Sequence, residues 1–127
     1  MTKKPTHNDK LKETLSGTSE VKITVTGRRS GRTISNPVWF VLDDDNLYLL
    51  PVQGSNTQWY KNVLAHPEMR IGARHEEAEV KAVPITAARQ VASVVEKFRA
   101  KYGAGDVKKY YSKFDVAVVA QMQKERS

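Results

Sequence analysis

The sequence predicts a mainly β domain, with about six short antiparallel strands curling into a small closed barrel and two or three helices inserted. Three observations carry this prediction. Apolar and polar residues alternate in short runs, most cleanly where Val21, Ile23 and Val25 interleave with Lys22, Thr24 and Thr26, which is the period of a half-buried strand. Turn-forming clusters such as Gly27–Gly31 and Asp43–Asn46 separate these runs at hairpin spacing. No strand–helix–strand unit repeats, as a parallel sheet would require. Closing a barrel removes the exposed edges that so many hairpins would otherwise leave.

The elements follow in order. Residues 1–18 read as a basic, polar tail or loosely held short helix, in which Leu11 and Leu15 at i, i+4 could pack one helical turn onto the domain proper at 19–127. After the first strand, Ser35–Leu42 reads as a second, with Asn36-Pro37 near its start, where a missing N–H is tolerated at an edge or bulge. Val38 to Leu42 is apolar at every position, as in a strand covered on both faces. Leu47–Val52 is the returning strand, and Gln53–Thr57 is a turn that offers a helix cap. Gln58–Ala65 can form two helical turns, stopped by His66-Pro67. Glu68–Arg74 and Ala78–Ile85 form another hairpin, closed by Pro84 and a capping Thr86. Val91, Val94, Val95 and Phe98 mark an amphipathic helix over Ala87–Tyr102. Gly103-Ala104-Gly105 breaks it, Asp106–Ser112 makes a short helix, and Phe114–Met122 is the last strand.

Composition narrows the function. A chain of 127 residues fits one domain with a core sufficient without staples. The absence of Cys excludes disulfides and thiolate chemistry. Three scattered His give no metal-ligand pattern, so no metal is expected. No run has the length of a membrane span, and Met1–Thr6 lacks the apolar core of a signal peptide, which points to a cytoplasmic protein. The net charge of +7 and pI near 9.7 favour an anionic partner: nucleic acid, acidic lipid or a phosphorylated cofactor.

The densest chemistry lies in Thr26-Gly27-Arg28-Arg29-Ser30-Gly31-Arg32, which holds three Arg, two Gly and two hydroxyls in seven residues. Gly lets backbone N–H groups approach a ligand, and Arg offers planar, permanently charged donors. The segment reads either as an anion cradle between two strands or as a solvated basic hairpin.

Taken with Asn36-Pro37, Gly54-Ser55-Asn56, Trp59-Tyr60-Lys61-Asn62 and Ala65-His66-Pro67, this segment forms an ordered series that resembles the deazaflavin-dependent nitroreductase family. The resemblance implies an FMN-binding-like split β-barrel and an oxidoreductase that passes a hydride from reduced coenzyme F420 to a quinone, nitroaromatic or other conjugated acceptor. It also implies that Arg28, Arg29, Ser30, Gly31 and Arg32 hold the phosphate and acidic tail, that Val52, Gly54 and Ser55 face the ring, and that Asn36 and Pro37 line the same groove. The adjacent Trp59 and Tyr60 read either as one core residue and one ligand contact, with Trp59 the candidate for the latter, or as two residues of structural packing. Tyr110 and Tyr111 are the candidate proton donors, with solvent as the alternative. Ile34 stands where many relatives carry a basic residue, and the loop before Trp59 is short, which bears on the acceptor. A homodimer is implied by the same likeness. The competing readings are an FMN enzyme on the same barrel, a non-enzymatic cofactor carrier, or a nucleic-acid-binding barrel. Against the last, Trp39, Phe40 and Tyr48 fall in buried-looking runs.

Overall fold

The alternation at the start of the domain produces β1 (Val21–Thr26), whose Val21, Ile23 and Val25 point into the core while Lys22 is exposed. The computed structural model describes residues 7–122, with side chains from Lys10 onward; the basic Lys3 and Lys4 of the predicted tail lie outside that range. α1 (His7–Leu15) precedes β1, and β2 (Thr33–Val38), β3 (Phe40–Asp43), β4 (Asn46–Leu49), α2 (Gln58–Ala65), β5 (Glu68–Ala73), β6 (Glu76–Ile85), α3 (Ala88–Tyr102), α4 (Ala104–Tyr110) and β7 (Ala117–Gln121) follow.

The seven strands form one antiparallel sheet in the order β2-β1-β5-β6-β7-β4-β3. β2 and β3 lie at opposite edges of that order, yet Trp39 alone separates them in sequence. Neighbouring Cα atoms are only ~3.8 Å apart, so the sheet must curl until its two edges meet at Trp39. The long β6 carries the curl. Its Glu76–Lys81 half pairs with β5 and its Ala82–Ile85 half pairs with β7. A split barrel results, the fold class expected.

Several boundaries differ from the sequence reading: β4 ends at Leu49 rather than Val52, and β7 begins at Ala117 rather than Phe114. The predicted second strand is two strands broken at Trp39, which makes seven rather than six. A continuous apolar run carries no period to mark such a corner. Gly103, at φ +95°, breaks the long helix alone, and Ala104 and Gly105 open α4. The predicted cap at Thr86 is also absent, because Ala87 occupies the cap position without a side-chain bond.

One core fills the barrel, with Ile23, Phe40, Leu47, Leu49, Ile71 and Val118 essentially inaccessible. Leu11 and Leu15 of α1 belong to it, as do Trp59, Tyr60 and Val63 of α2. A second cluster forms where Val91, Val94, Val95 and Phe98 of α3 meet Val41, Tyr48, Leu50, Ile85 and Ala117. Each fully buried side chain of this size contributes about 1.5–3 kcal/mol.

Candidate functional site

The Arg-rich hairpin between β1 and β2 is closed by its own backbone. Gly27 N–H donates to Arg32 O at 2.8 Å and Gly31 N–H to Gly27 O at 2.9 Å. Gly31 sits at φ +71°, a conformation that favours glycine. Ser30 Oγ accepts from Arg32 N–H at 3.1 Å. A Cβ on Gly27 would lie 2.7 Å from that hydroxyl oxygen, so a side chain there would push the Ser30 hydroxyl away from Arg32 N–H.

The three arginines divide in role. Arg28 is half-buried and tied to α2: its N–H and Nη1 both donate to Asn62 Oδ1, at 3.1 and 2.8 Å, and its Nη2 donates to Gln58 Oε1 at 3.0 Å. Asn62 is 5 % exposed, a buried polar side chain paid for by this bond. Arg29 and Arg32 are exposed. Among the described residues none of the three forms a salt bridge with a carboxylate. Arg28's partners are neutral amides, so the loop keeps its positive charge uncompensated.

From Gln58 the chain leads back through a short 3-10 turn (Gly54–Asn56) to Val52. This segment lies against residues 112–115. Ser112 N–H donates to Val52 O at 2.9 Å, and Asp115 accepts from Ser55 through both its N–H (2.9 Å) and its Oγ (2.5 Å). These bonds, led by that of the Ser55 hydroxyl, hold the Asp115 carboxyl below its ordinary range. Thr57, the residue before α2, makes no side-chain cap, and its Oγ1 instead accepts from Gln53 N–H at 2.8 Å.

Aromatic rings complete the arrangement. Trp39 is sandwiched between Tyr102, at 4.3 Å and 10°, and Tyr110, at 4.6 Å and 14°. Tyr111 meets Trp39 edge-on at 6.0 Å. Tyr110 is 44 % exposed and Tyr111 only 3 %. Burial pushes the Tyr111 phenol far above its ordinary pKa, with Tyr110 and Tyr102 adding to the shift.

These contacts run continuously. They pass from Arg28 to Gln58, through Ser55 to Asp115, through Val52 to Ser112, and through Tyr110 to Trp39. β2 closes the circuit from Trp39 back to Arg32, and it carries Asn36 and Pro37. Ile34, on the same strand, is 41 % exposed. The hydrogen-bonded part of this path, from Arg28 through Gln58 and Ser55 to Asp115, forms one rim, whereas Asn36 and Pro37 face opposite sides of β2, Asn36 beside core-facing Ile23 and Pro37 beside exposed Lys22. Trp59 is 6 % exposed and packs in the barrel core, as Tyr60 does at 3 %. The sequence reading gave no site role to Gln58, Trp39, Lys113 or Asp115. A cavity of about 630 Å³ lies elsewhere, on the outer sheet face around Thr24, Thr26, Thr33, Arg70 and Glu79. It touches the rim only through the foot of the Arg hairpin, and Arg70 is paired there with Glu77 and Glu79.

An open Arg cluster on a split barrel fits an anionic cofactor, and the comparison with known families decides which one. The family model of F420H(2)-dependent quinone reductases matches residues 2–123. The chain belongs to this family. As an F420H(2)-dependent quinone reductase family member it is an oxidoreductase, and its cofactor is reduced coenzyme F420. Solved structures share the fold. An F420-H2-dependent reductase, FDR-A, is 16 % identical, with a TM-score of 0.63 over 81 % of this chain and 94 % of that one. The heme storage protein HutZ from Vibrio cholerae is 12 % identical, with a TM-score of 0.69 over 91 % and 89 %. A chain described as a domain-swapped dimer is 16 % identical, with a TM-score of 0.65 over 81 % and 80 %. No curated protein matches in sequence.

Proposed function

We propose that the Arg28–Arg32 hairpin holds the phosphate and acidic tail of coenzyme F420, with its ring toward Val52, Gly54, Ser55, Asn36 and Pro37, and that the acceptor is a quinone, nitroaromatic or other conjugated molecule. The observation that carries this reading is the set of three guanidinium groups without a carboxylate partner among the described residues. A multiply charged tail needs several charge-assisted bonds, and Arg gives them bidentately. Family membership favours the deazaflavin over FMN, a plain carrier or nucleic acid as the ligand.

The bound cofactor supplies the hydride, so the chain's work is orientation and proton supply. Arg29 and Arg32 bind anionic groups. Arg28 adds charge from a position fixed by Asn62 and Gln58, which lowers the cost of ordering the loop. Beyond the rim, Tyr110 offers an exposed phenol to an acceptor oxygen, while Tyr111 is buried, its phenol pKa raised by burial, and meets Trp39 edge-on. The protein acts in the cytoplasm; no helix among the described residues is long and apolar enough to cross a membrane. The likeness to a domain-swapped dimer supports a homodimer, which light scattering on the purified protein would test.

The deciding experiment is a titration with coenzyme F420 and, in parallel, FMN, followed by Trp39 and Trp59 fluorescence at two salt concentrations. Preferential F420 binding that weakens with salt is expected. Changing Arg29 and Arg32 together to Ala should weaken it roughly 100-fold, at about tenfold per lost charge-assisted bond. Unchanged affinity in that double variant would remove the hairpin from the site. Turnover with a panel of quinones and nitroaromatics then identifies the acceptor class.

A further inference from the structure

Ser55 belongs to the segment read above as facing the cofactor ring, and a residue 60 positions away fixes its hydrogen-bonding direction. Asp115 Oδ1 accepts from Ser55 N–H at 2.9 Å and Asp115 Oδ2 accepts from Ser55 Oγ at 2.5 Å. Gly54, at φ +56°, makes room for this. A Cβ there would run into Asp115 Oδ1 and come within 3.0 Å of Lys113 Cγ. Lys113 Nζ donates to Ser55 Oγ at 3.5 Å and stands 3.5 Å from Asp115 Oδ2. From α2, Tyr60 is near enough for the charge on Asp115 to help raise its phenol pKa, after burial.

A serine hydroxyl has one proton and two lone pairs. An ionised carboxylate can only accept, so the Ser55 proton is committed to Asp115, Lys113 donates to one lone pair, and the hydroxyl keeps one lone pair to offer elsewhere. We infer that Asp115 is a positioning residue that sets Ser55 as a hydrogen-bond acceptor, so that this point of the rim selects an N–H or O–H donor on the bound ring. A deazaflavin fits that demand, because its pyrimidine-like edge carries an N–H between two carbonyls. The inference rests on the proposal that the ring faces Ser55. It adds the polarity of the contact and the residue that enforces it.

Asp115→Asn tests this directly. The substitution keeps the shape, but an amide N–H₂ can donate to Ser55 Oγ and release the serine proton, which reverses the polarity. Affinity for oxidised coenzyme F420 is read by Trp fluorescence in the wild type, D115N, S55A and the double variant, with thermal unfolding as the control for folding. D115N should weaken binding roughly tenfold, the scale of one mismatched hydrogen bond. In the S55A background the same change should cost less than about twofold, because Asp115 acts through Ser55. Asp115→Glu keeps a carboxylate within reach and should retain affinity to within about threefold, which also serves if D115N folds poorly. Unchanged affinity in D115N, or an equal loss with and without Ser55, would overturn the inference while leaving the cofactor reading intact. A wild type that binds no coenzyme would overturn both.

Discussion

Arg28 and Arg29 are adjacent and chemically identical, yet they answer to different forces. Arg28 satisfies the buried Oδ1 of Asn62 with two donors, whereas Arg29 is exposed and forms no salt bridge among the described residues. Truncating Arg28 removes the guanidinium donor and leaves Asn62 with only the Arg28 N–H. Arg28→Ala should therefore cost about 1–3 kcal/mol of stability, while Arg29→Ala should stay within about 0.5 kcal/mol. Urea midpoints of the two variants measure this. Equal midpoints would mean that the Arg28–Asn62 bond contributes no net stability. Loss of cofactor binding in Arg28→Ala must be read against that stability cost, and Arg29 and Arg32 are the cleaner probes of the ligand. Glycine at 54 is likewise fixed by a neighbour. Gly54→Ala strains a positive φ and collides with Asp115, so it should destabilise the protein by at least about 1 kcal/mol.

At the scale of elements, α1 behaves as part of the barrel. Leu11 and Leu15 are 0 % and 1 % exposed, and Lys12 reaches Asp45 in the β3–β4 turn at 2.6 Å. Leu11→Ala should cost about 2–5 kcal/mol, the price of a core truncation; a shift in unfolding midpoint below about 0.5 kcal/mol would make α1 a loosely held appendage. The sequence showed the i, i+4 pair but not its depth, since two leucines in a polar stretch have no neighbours in sequence to vote for burial. Strands with alternating faces, such as β1, were legible because one side meets water and the other does not. The break at Trp39 was illegible for the opposite reason: Val38–Leu42 is apolar on every face, and its corner is set by Tyr102 and Tyr110 closing on the indole from distant helices. The site was legible where composition is unusual, in the Arg hairpin. It was illegible where a common residue acts through tertiary contact. Asp115 looks like any turn aspartate until the fold brings Ser55 to it, and Asn62 looks like a helix-end amide until Arg28 arrives.

At the scale of the whole molecule, the seam that closes the barrel depends on one phenol. Tyr102 Oη accepts from Phe40 N–H at 3.0 Å and lies 2.7 Å from Phe40 O and 2.8 Å from Ser19 O. It thereby joins the end of α3, the start of β3 and the residues that lead into β1, and its ring backs Trp39. Only the neutral phenol can donate to those carbonyls. Burial pushes its pKa up from 10 to about 12, despite an opposing contribution from the Phe40 bond, and Tyr111 is raised further, again by burial. The sign of the linkage follows. The folded chain retains protons that the unfolded chain has released, so this contribution to stability is complete below pH 10 and is lost as pH rises through about 12. The urea midpoint should therefore fall steeply between these limits. Lysines also titrate in this range, and Lys101, which donates to Phe40 O at 2.8 Å, has its pKa lowered by burial. Tyr102→Phe separates the two sources. It should start about 1–3 kcal/mol less stable at pH 8, because Phe40 N–H and Ser19 O lose the phenol as partner while Phe40 O keeps Lys101, and its midpoint should then fall less between pH 10 and 12 than the wild type's. Parallel declines in both proteins would assign the alkaline transition to the lysines and Tyr111 and leave the seam indifferent to the Tyr102 proton.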